Sequence, residues 1–408
     1  MIEGESVKIF ATIPLPNKIH EREMDKSDLP GTFNVGATLG PVNETNMARI
    51  WNKHKQSNTP LKRKVFVAMS GGLDSSVTAA LLKSKGFSVA GAFMRFWSQP
   101  TQDESKEGFN RCCSPTAEAR ARIVADILEI PFYALNFADD FKKKVVDRFI
   151  DEYSKGRTPN PCVDCNESIK LGLLLEKAKS MGFDLVATGH YARIENGKIY
   201  RAKDRIKDQS YFLWKLRPEQ IKRLVFPLSN YQKSEVRELA NDFKLPLSGV
   251  KESMEVCFIR DSLKSFLSDY LGQKPGDIVD EKGDVIGQHS GLWFHTIGQR
   301  QGIGLSGGPY FVVKKDYDKN ILIVSRNPAD LERDLLEMDS VNWISGEPKF
   351  PFRADVQLRY GHSASPAKLS FNDGIVTVSF EKPQRAIAPG QSAVVYQGEM
   401  ILGGGVIR

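Results

Sequence analysis

Cysteine is scarce. The 408 residues hold five (Cys112, Cys113, Cys162, Cys165 and Cys257), an odd number, which excludes the paired framework of a small secreted domain and points to a reducing compartment where thiols are kept for chemistry. Long hydrophobic runs are also missing. No apolar stretch approaches the length needed to cross a bilayer, so a membrane-spanning helix is excluded. Charge is nearly balanced, with 57 Lys and Arg against 50 Asp and Glu for a net +7. That excludes a protein that coats nucleic acid and leaves only a mild preference for polyanions. Residues 1–61 lack a signal-peptide apolar core, and their seven basic and seven acidic residues are unlike an acid-poor transit peptide. Internal repeats and low-complexity tracts are absent.

What is present is ordinary soluble composition, 41% hydrophobic and 26% charged, in a chain long enough for two or three domains. Five prolines (Pro14, Pro16, Pro30, Pro41, Pro60) and weak periodicity make residues 1–61 a loosely ordered extension. The pattern then alternates. Strands are expected at 64–70, 88–97, 131–137 and 184–192, and helices at 74–85, 116–128, 139–154 and 167–181. In the third helix Phe141, Val145, Phe149 and Tyr153 recur every four residues. Such alternation predicts a mostly parallel α/β sheet. After a last helix at 262–271 the pattern turns to Gly-rich alternating segments at 277–325 and then to short strands at 354–360, 367–371, 375–380 and 393–396. An all-β half in separate domains is expected.

The string SGGLDSS (70–76) lies between the first strand and its helix, where backbone N–H groups and a helix dipole converge on an anion. Phosphate is the natural guest. Asp74 is an odd choice there, since a carboxylate repels phosphate unless it holds a metal or caps the helix. The lysine of the Walker pattern is lacking, which excludes a P-loop kinase or GTPase. The string resembles the PP-loop of ATP pyrophosphatases, which cut ATP between the α and β phosphates to adenylate an oxygen. That resemblance implies ATP held by Ala68, Met69, Ser70, Gly71, Gly72, Leu73, Asp74 and Ser75, with Met94 against adenine.

Cys162 and Cys165 form a C-x-x-C, yet the adjacent Cys112 and Cys113 do not supply the second pair of a zinc ribbon. Buried inert cysteine suits Cys112 or Cys113 better than Cys162, which follows Thr158-Pro159-Asn160-Pro161. Thiol chemistry is the alternative: moving sulfur to an activated carbon needs one cysteine to carry it as a persulfide and a second to release it as a disulfide. Cys165 and Cys257 each sit in a distinctive string.

The strings SGGLDSS, GRTPNPCVDCN (156–166), ATGHYARI (187–194), KDQSYFLW (207–214), MEVCFI (254–259), HTIGQRQGIG (295–304) and APGQSAVVY (388–396) occur in the order found in the tRNA-specific 2-thiouridylases. The family is called MnmA in bacteria and has a mitochondrial counterpart. The resemblance runs from about residue 62 to 408. It implies a Rossmann-like PP-loop ATP pyrophosphatase domain at 62–261, a small β-rich central domain at 262–332 and a C-terminal antiparallel β-barrel at 333–408, the last two binding tRNA. It implies ATP, with Mg2+, adenylating O2 of the wobble uridine of tRNAs of the Lys, Glu and Gln type, followed by exchange of that oxygen for sulfur.

Cys257 matches the persulfide carrier and Cys165 the nucleophile that closes a transient disulfide with it, the sulfur coming from a persulfide donor protein. Gly189 matches an ATP contact. Asn160, Pro161 and Cys162 match positions facing the target base, and His190, Lys207, Asp208, Gln209, Arg359, Tyr360 and Gln391 match positions that meet tRNA. Outside that context His190 reads as a core histidine and Arg359 as an exposed strand charge. No membrane contact is implied. The compartment is the cytoplasm, or the mitochondrion for a eukaryotic source.

The chain departs from the family at three places. Cys162 stands where many members have Asp, Met254 where Gln is common, and Ala117 and Arg120 where Asp residues are frequent. Three alternatives stand beside the thiouridylase: a PP-loop thiolase with an iron–sulfur cluster on Cys162, Cys165 and Cys257; a tRNA-binding homologue that has lost activity; and a small-molecule PP-loop ligase, which leaves the β-rich half unexplained.

Overall fold

Residues 64–68 read Lys-Val-Phe-Val-Ala. After the first position no side chain suits water on either face, so the segment belongs between two neighbours. In the computed structural model, which describes residues 63–99, 114–247 and 256–408, Lys64–Ala68 is the middle strand of a five-stranded sheet. The order is Phe132–Asn136, Ser88–Arg95, Lys64–Ala68, Leu185–Ala187, Leu224–Val225, and every pairing is parallel. Val65 to Val67 are fully buried. The chain builds outward from the middle strand to one edge and then returns to its other side. That reversal lies between Lys64–Ala68 and Leu185–Ala187, and open parallel sheets take their ligands at the carboxyl ends of the strands there.

Helices Leu73–Ser84 and Pro115–Ile127 cover the sheet as the periodicity predicts. The second opens on Ser114, whose Oγ accepts from the Ala117 N–H at 3.2 Å. Two elements differ from expectation. The strand expected at 184–192 ends at Ala187, because Thr188-Gly189-His190 must turn over the phosphate loop. The helix expected from 167 begins six residues earlier, at Pro161, where a proline is preorganised for a first turn. The thiol motif is therefore helical.

The four-residue period of Phe141, Val145, Phe149 and Tyr153 has its own consequence. An α-helix turns 3.6 residues at a time, so this spacing drifts around its surface. A wide π segment at Lys142–Val146 absorbs the drift, and all four side chains end buried on one face.

The β-rich half forms two bodies. A four-stranded sheet (Phe311–Asp316, Ile321–Ser325, Gly276–Val279, Val285–His289) encloses Ile278, Leu292, Val312 and Leu322. An antiparallel sheet from Glu332–Asn342 to Met400–Ile407 closes into a barrel by pairing its first strand with its last. A hairpin of the α/β domain, Arg193–Glu195 and Lys198–Tyr200, extends the barrel sheet through Met400 and Tyr200. The barrel also enters the α/β core, where Val394, Tyr396 and Ile401 pack with Trp214, Tyr211 and Leu213. Cys112, Cys113, Met254 and the extension 1–61 lie outside the described residues.

Candidate functional site

The phosphate loop is built by backbone needs. Gly71 has φ +71°, and a Cβ on it would lie 2.1 Å from the carbonyl oxygen of Ala117, so glycine is required twice over. Helix Leu73–Ser84 starts at Gly72 with no side chain on its first N–H groups. Those donors and the positive end of the helix dipole remain for an anion. Ser75 Oγ accepts from the Ser70 N–H at 3.1 Å and donates to Gly72 O at 3.1 Å, while Ser76 Oγ donates to the same carbonyl at 2.9 Å. These hydroxyls shape the loop. Arg120, one of the family departures, donates from Nε to Gly71 O at 3.1 Å and brings a cation beside the loop. Ala68 and Met69 lead into the loop, and Met94 lies at the same end of the neighbouring strand.

Asp74 neither caps the helix nor stands alone. Lys233 Nζ donates to both of its carboxylate oxygens at 2.8 Å, and the Tyr191 hydroxyl donates to Oδ1 at 2.8 Å. The Lys233 side chain is 7% exposed. Its backbone N–H is held in turn by Asp204 Oδ2 at 2.9 Å. Sequence reasoning missed Lys233 and Tyr191, since a lysine opening a helix and a tyrosine after His190 carry no mark in one dimension. Lys233 balances the Asp74 charge, and the carboxylate, about one-third exposed, keeps a lone pair on Oδ2 with which it would hold Mg2+ beside the phosphates. ATP phosphates fit the glycine cradle and the open helix N-terminus. Gly189 closes this side, because a Cβ there would meet the Asp74 backbone at 2.9 Å.

His190 Nδ1 lies 2.7 Å from Thr188 Oγ1. Enclosure of the ring, with a smaller push from Lys170, lowers its pKa to about 3. The imidazole is neutral at physiological pH and can offer hydrogen bonds but no charge.

The thiols come next. Cys162 is exposed, Cys165 is buried and Cys257 is half-buried. Helix Pro161–Cys165 packs on the π segment Lys142–Val146. Phe258, next to Cys257, sets its ring edge-on to Phe141 at 5.9 Å and to Phe149 at 5.2 Å, on the same long helix. Two segments far apart in sequence thus lean on one support. Asp164, between the cysteines, pairs with Lys215 at 2.6 Å and Arg148 at 3.4 Å. Among the described residues, no group of three or more His, Cys, Asp or Glu side chains is placed to hold a metal ion.

The remaining positions gather along the seam between the α/β domain and the barrel. The Tyr211 hydroxyl, beside Asn160, donates to Ser392 O at 2.9 Å. Tyr360 is 41% exposed and sits 4.7 Å from the Phe212 ring, a surface aromatic pair. Arg359 donates to Ala386 O, and Lys207 is half-buried. Others of this set have visible internal work. Asp208 is buried and accepts from Arg201, the Ala202 N–H and Ser210 Oγ. Gln209 Oε1 accepts from the Tyr191 N–H at 3.0 Å. Gln391 Nε2 donates to Thr158 O at 2.7 Å, fastening the loop before Cys162 to the barrel.

A parallel sheet with a glycine phosphate loop at its switch point, followed by two β bodies, defines a nucleotide-binding PP-loop domain with appended barrels. The family descriptions agree: a tRNA methyl transferase HUP domain matches residues 63–261, a tRNA methyl transferase PRC-barrel domain 264–326, and an aminomethyltransferase beta-barrel domain 333–407. Over 358 residues the chain is 46% identical to the tRNA-specific 2-thiouridylase MnmA of Pelotomaculum thermopropionicum, covering 85% of this chain and 98% of that one. Over 359 residues it is 44% identical to the MnmA of Carboxydothermus hydrogenoformans, with coverage of 85% and 98%. The chain belongs to the MnmA family of tRNA-specific 2-thiouridylases.

Proposed function

We propose that this chain is an ATP-dependent tRNA sulfurtransferase that makes 2-thiouridine at the wobble uridine, U34, of tRNAs of the Lys, Glu and Gln type. A carbonyl oxygen is a poor leaving group, so O2 first attacks the α-phosphate of ATP and pyrophosphate departs. The loop N–H groups and the helix dipole bear the charge of the phosphates as that bond breaks, while Lys233 offsets the charge of Asp74. The terminal sulfur of a persulfide on Cys257 then attacks C2, and AMP leaves. Cys165 attacks Cys257 Sγ, the S–S bond breaks, sulfur stays on the base, and the resulting Cys165–Cys257 disulfide is reduced by an external thiol. Such attack at C2 requires the base to be turned out of its stack. Asn160, Pro161 and Cys162 receive the base, while His190, Lys207, Arg359 and Tyr360 meet RNA.

The observation that carries this reading is the shared support of the two thiol segments: the Cys165 helix and Phe258 beside Cys257 pack on one helix. The deciding measurement is mass spectrometry of nucleosides from tRNA incubated with the protein, ATP and a small-molecule persulfide. Wild type is expected to yield 2-thiouridine, and Cys165→Ser and Cys257→Ser each to yield none while still binding tRNA. Normal thiolation by either variant would sink the two-thiol mechanism. A brown, cluster-bearing anaerobic preparation, active only in that form, would favour the iron–sulfur alternative.

A further inference from the structure

The loop that carries the chain into the thiol helix, residues 156–160, has no helix or strand of its own; the preceding helix holds its first turn, through Gly156 N–H to Tyr153 O and Arg157 N–H to Glu152 O, and further anchors come from the other two domains. On one side is the central domain. Gly156 has φ +80°, and a Cβ there would lie 2.1 Å from the ring of Tyr317, so that ring packs directly against bare backbone. Thr158 Oγ1 also donates to Thr296 Oγ1 at 3.3 Å. Lys315 ties these two anchors together: its ammonium donates to His295 O at 2.9 Å and stands 5.8 Å from the centre of the Tyr317 ring. On the other side is the barrel, where Pro389 O accepts from the Thr158 N–H at 2.7 Å and Gln391 binds Thr158 O. A cleft of about 380 Å³ opens at this junction, with Lys155, Lys314 and Arg333 among its lining residues.

Two facts make Tyr317 stand out. Its hydroxyl is buried and has no hydrogen-bond partner among the described residues, so what Tyr317 offers Gly156 is packing and not a hydrogen bond. And the residue it touches lies six positions before the exposed thiol of Cys162.

We propose that Tyr317 is a positioning residue for sulfur transfer: by seating Gly156 it fixes loop 156–160, and so places Cys162 and Cys165, from the central domain. The inference rests on the reading that the Cys162–Cys165 helix is where sulfur reaches the base. It gives the central domain a part in the chemistry. RNA held on the β-rich half and the thiol that acts on it share one frame, and the frame's joint is a ring on a glycine.

The test uses the full chain and two readouts. The first is alkylation of individual cysteines by iodoacetamide, followed by peptide mass spectrometry. Cys165 is buried, so its labelling reports release of the loop, and Cys257 serves as the internal control. In Tyr317→Ala, Cys165 labelling is expected to rise about fivefold or more through local opening, with Cys257 unchanged, while Tyr317→Phe labels as wild type. The second readout is thiolation at varied tRNA. Tyr317→Ala should lower kcat by about 10–100-fold, the scale of small misplacements of reacting groups, with KM for tRNA unchanged.

Gly156→Ala supplies an independent arm. It should raise Cys165 labelling in the wild-type background by forcing the ring away, and add less to Tyr317→Ala, where the clash is gone. If Tyr317→Ala does not fold, Tyr317→Leu, which keeps an apolar side chain but not the ring, takes its place in the labelling test. Wild-type labelling of Cys165 in both variants overturns the proposal, and so does a rise in KM with kcat intact, which would make Tyr317 part of the RNA surface. If wild type forms no 2-thiouridine, the functional reading fails, while the labelling arm still decides whether Tyr317 sets the loop.

Discussion

Asp74 shows how a residue that looks misplaced is made to fit. A carboxylate in a phosphate loop raises the cost of binding ATP unless its charge is balanced, and Lys233 balances it from a helix 159 positions away. Replacing Lys233 by Met leaves Asp74 with only the Tyr191 hydroxyl and turns the net charge of the site toward repulsion. The expected result is a loss of ATP-dependent AMP release of about 100-fold or more, equivalent to about 3 kcal/mol of transition-state stabilisation. The accompanying loss of fold stability is about 1–3 kcal/mol. AMP release measured by chromatography, beside a denaturant melt, checks both, and an active Lys233→Met enzyme would remove Lys233 from the mechanism. The sequence marked Asp74 as anomalous because charge is legible in one dimension. It could not mark Lys233, because the pairing exists only after the sheet and the helix Lys233–Asp242 are packed.

At the scale of elements, the two glycines of the phosphate loop look alike in sequence and differ in structure. Gly71 has φ +71° and the Ala117 carbonyl in the place of a side chain, whereas a Cβ on Gly72, at φ −95°, meets only Ser70 Oγ at 3.5 Å. Gly71→Ala must push helix Pro115–Ile127 off the loop and adopt a left-handed backbone, a cost of about 1–2 kcal/mol for the backbone alone and more for the clash. Gly72→Ala should melt within a few degrees of wild type. Thermal melts of the two variants test the distinction, and equal stability would contradict it. The helices show a similar limit on reading. A strict four-residue spacing at Phe141, Val145, Phe149 and Tyr153 was visible as amphipathic helix, while the π segment that keeps it on one face was not, since hydrogen-bond register is a three-dimensional choice.

At the scale of the whole molecule, the domains read from the sequence are packed into one another where the α/β domain meets the barrel. Tyr396, Val394 and Ile401 of the barrel belong to the core that buries Trp214 and Tyr211. Trp214 Nε1 donates to Ser392 Oγ at 3.0 Å, and Asn342 Nδ2 donates to Trp214 O at 2.8 Å. A fragment of residues 63–261 would expose those rings, each worth about 1.5–3 kcal/mol, against a total stability of about 5–15 kcal/mol for a typical domain. We expect the fragment to aggregate or bind a hydrophobic dye, and the α/β domain and barrel of the full chain to unfold together in calorimetry. A soluble fragment with a cooperative melt would show the interface to be dispensable.

The sequence by itself determined the alternation of strand and helix, the phosphate loop, the two cysteine strings and the change to β structure near residue 260, because each is written in local pattern or local chemistry. Tertiary structure alone decided three things. It set which charge answers Asp74. It gave Asp208, Gln209 and Gln391, which the resemblance matches to RNA contacts, internal hydrogen bonds as well. It hung the loop before Cys162 from Tyr317 and the barrel. The physical reason is common to all three: a side chain's partner is set by what the packed chain brings within a few ångströms, and for these residues the partners come from distant segments.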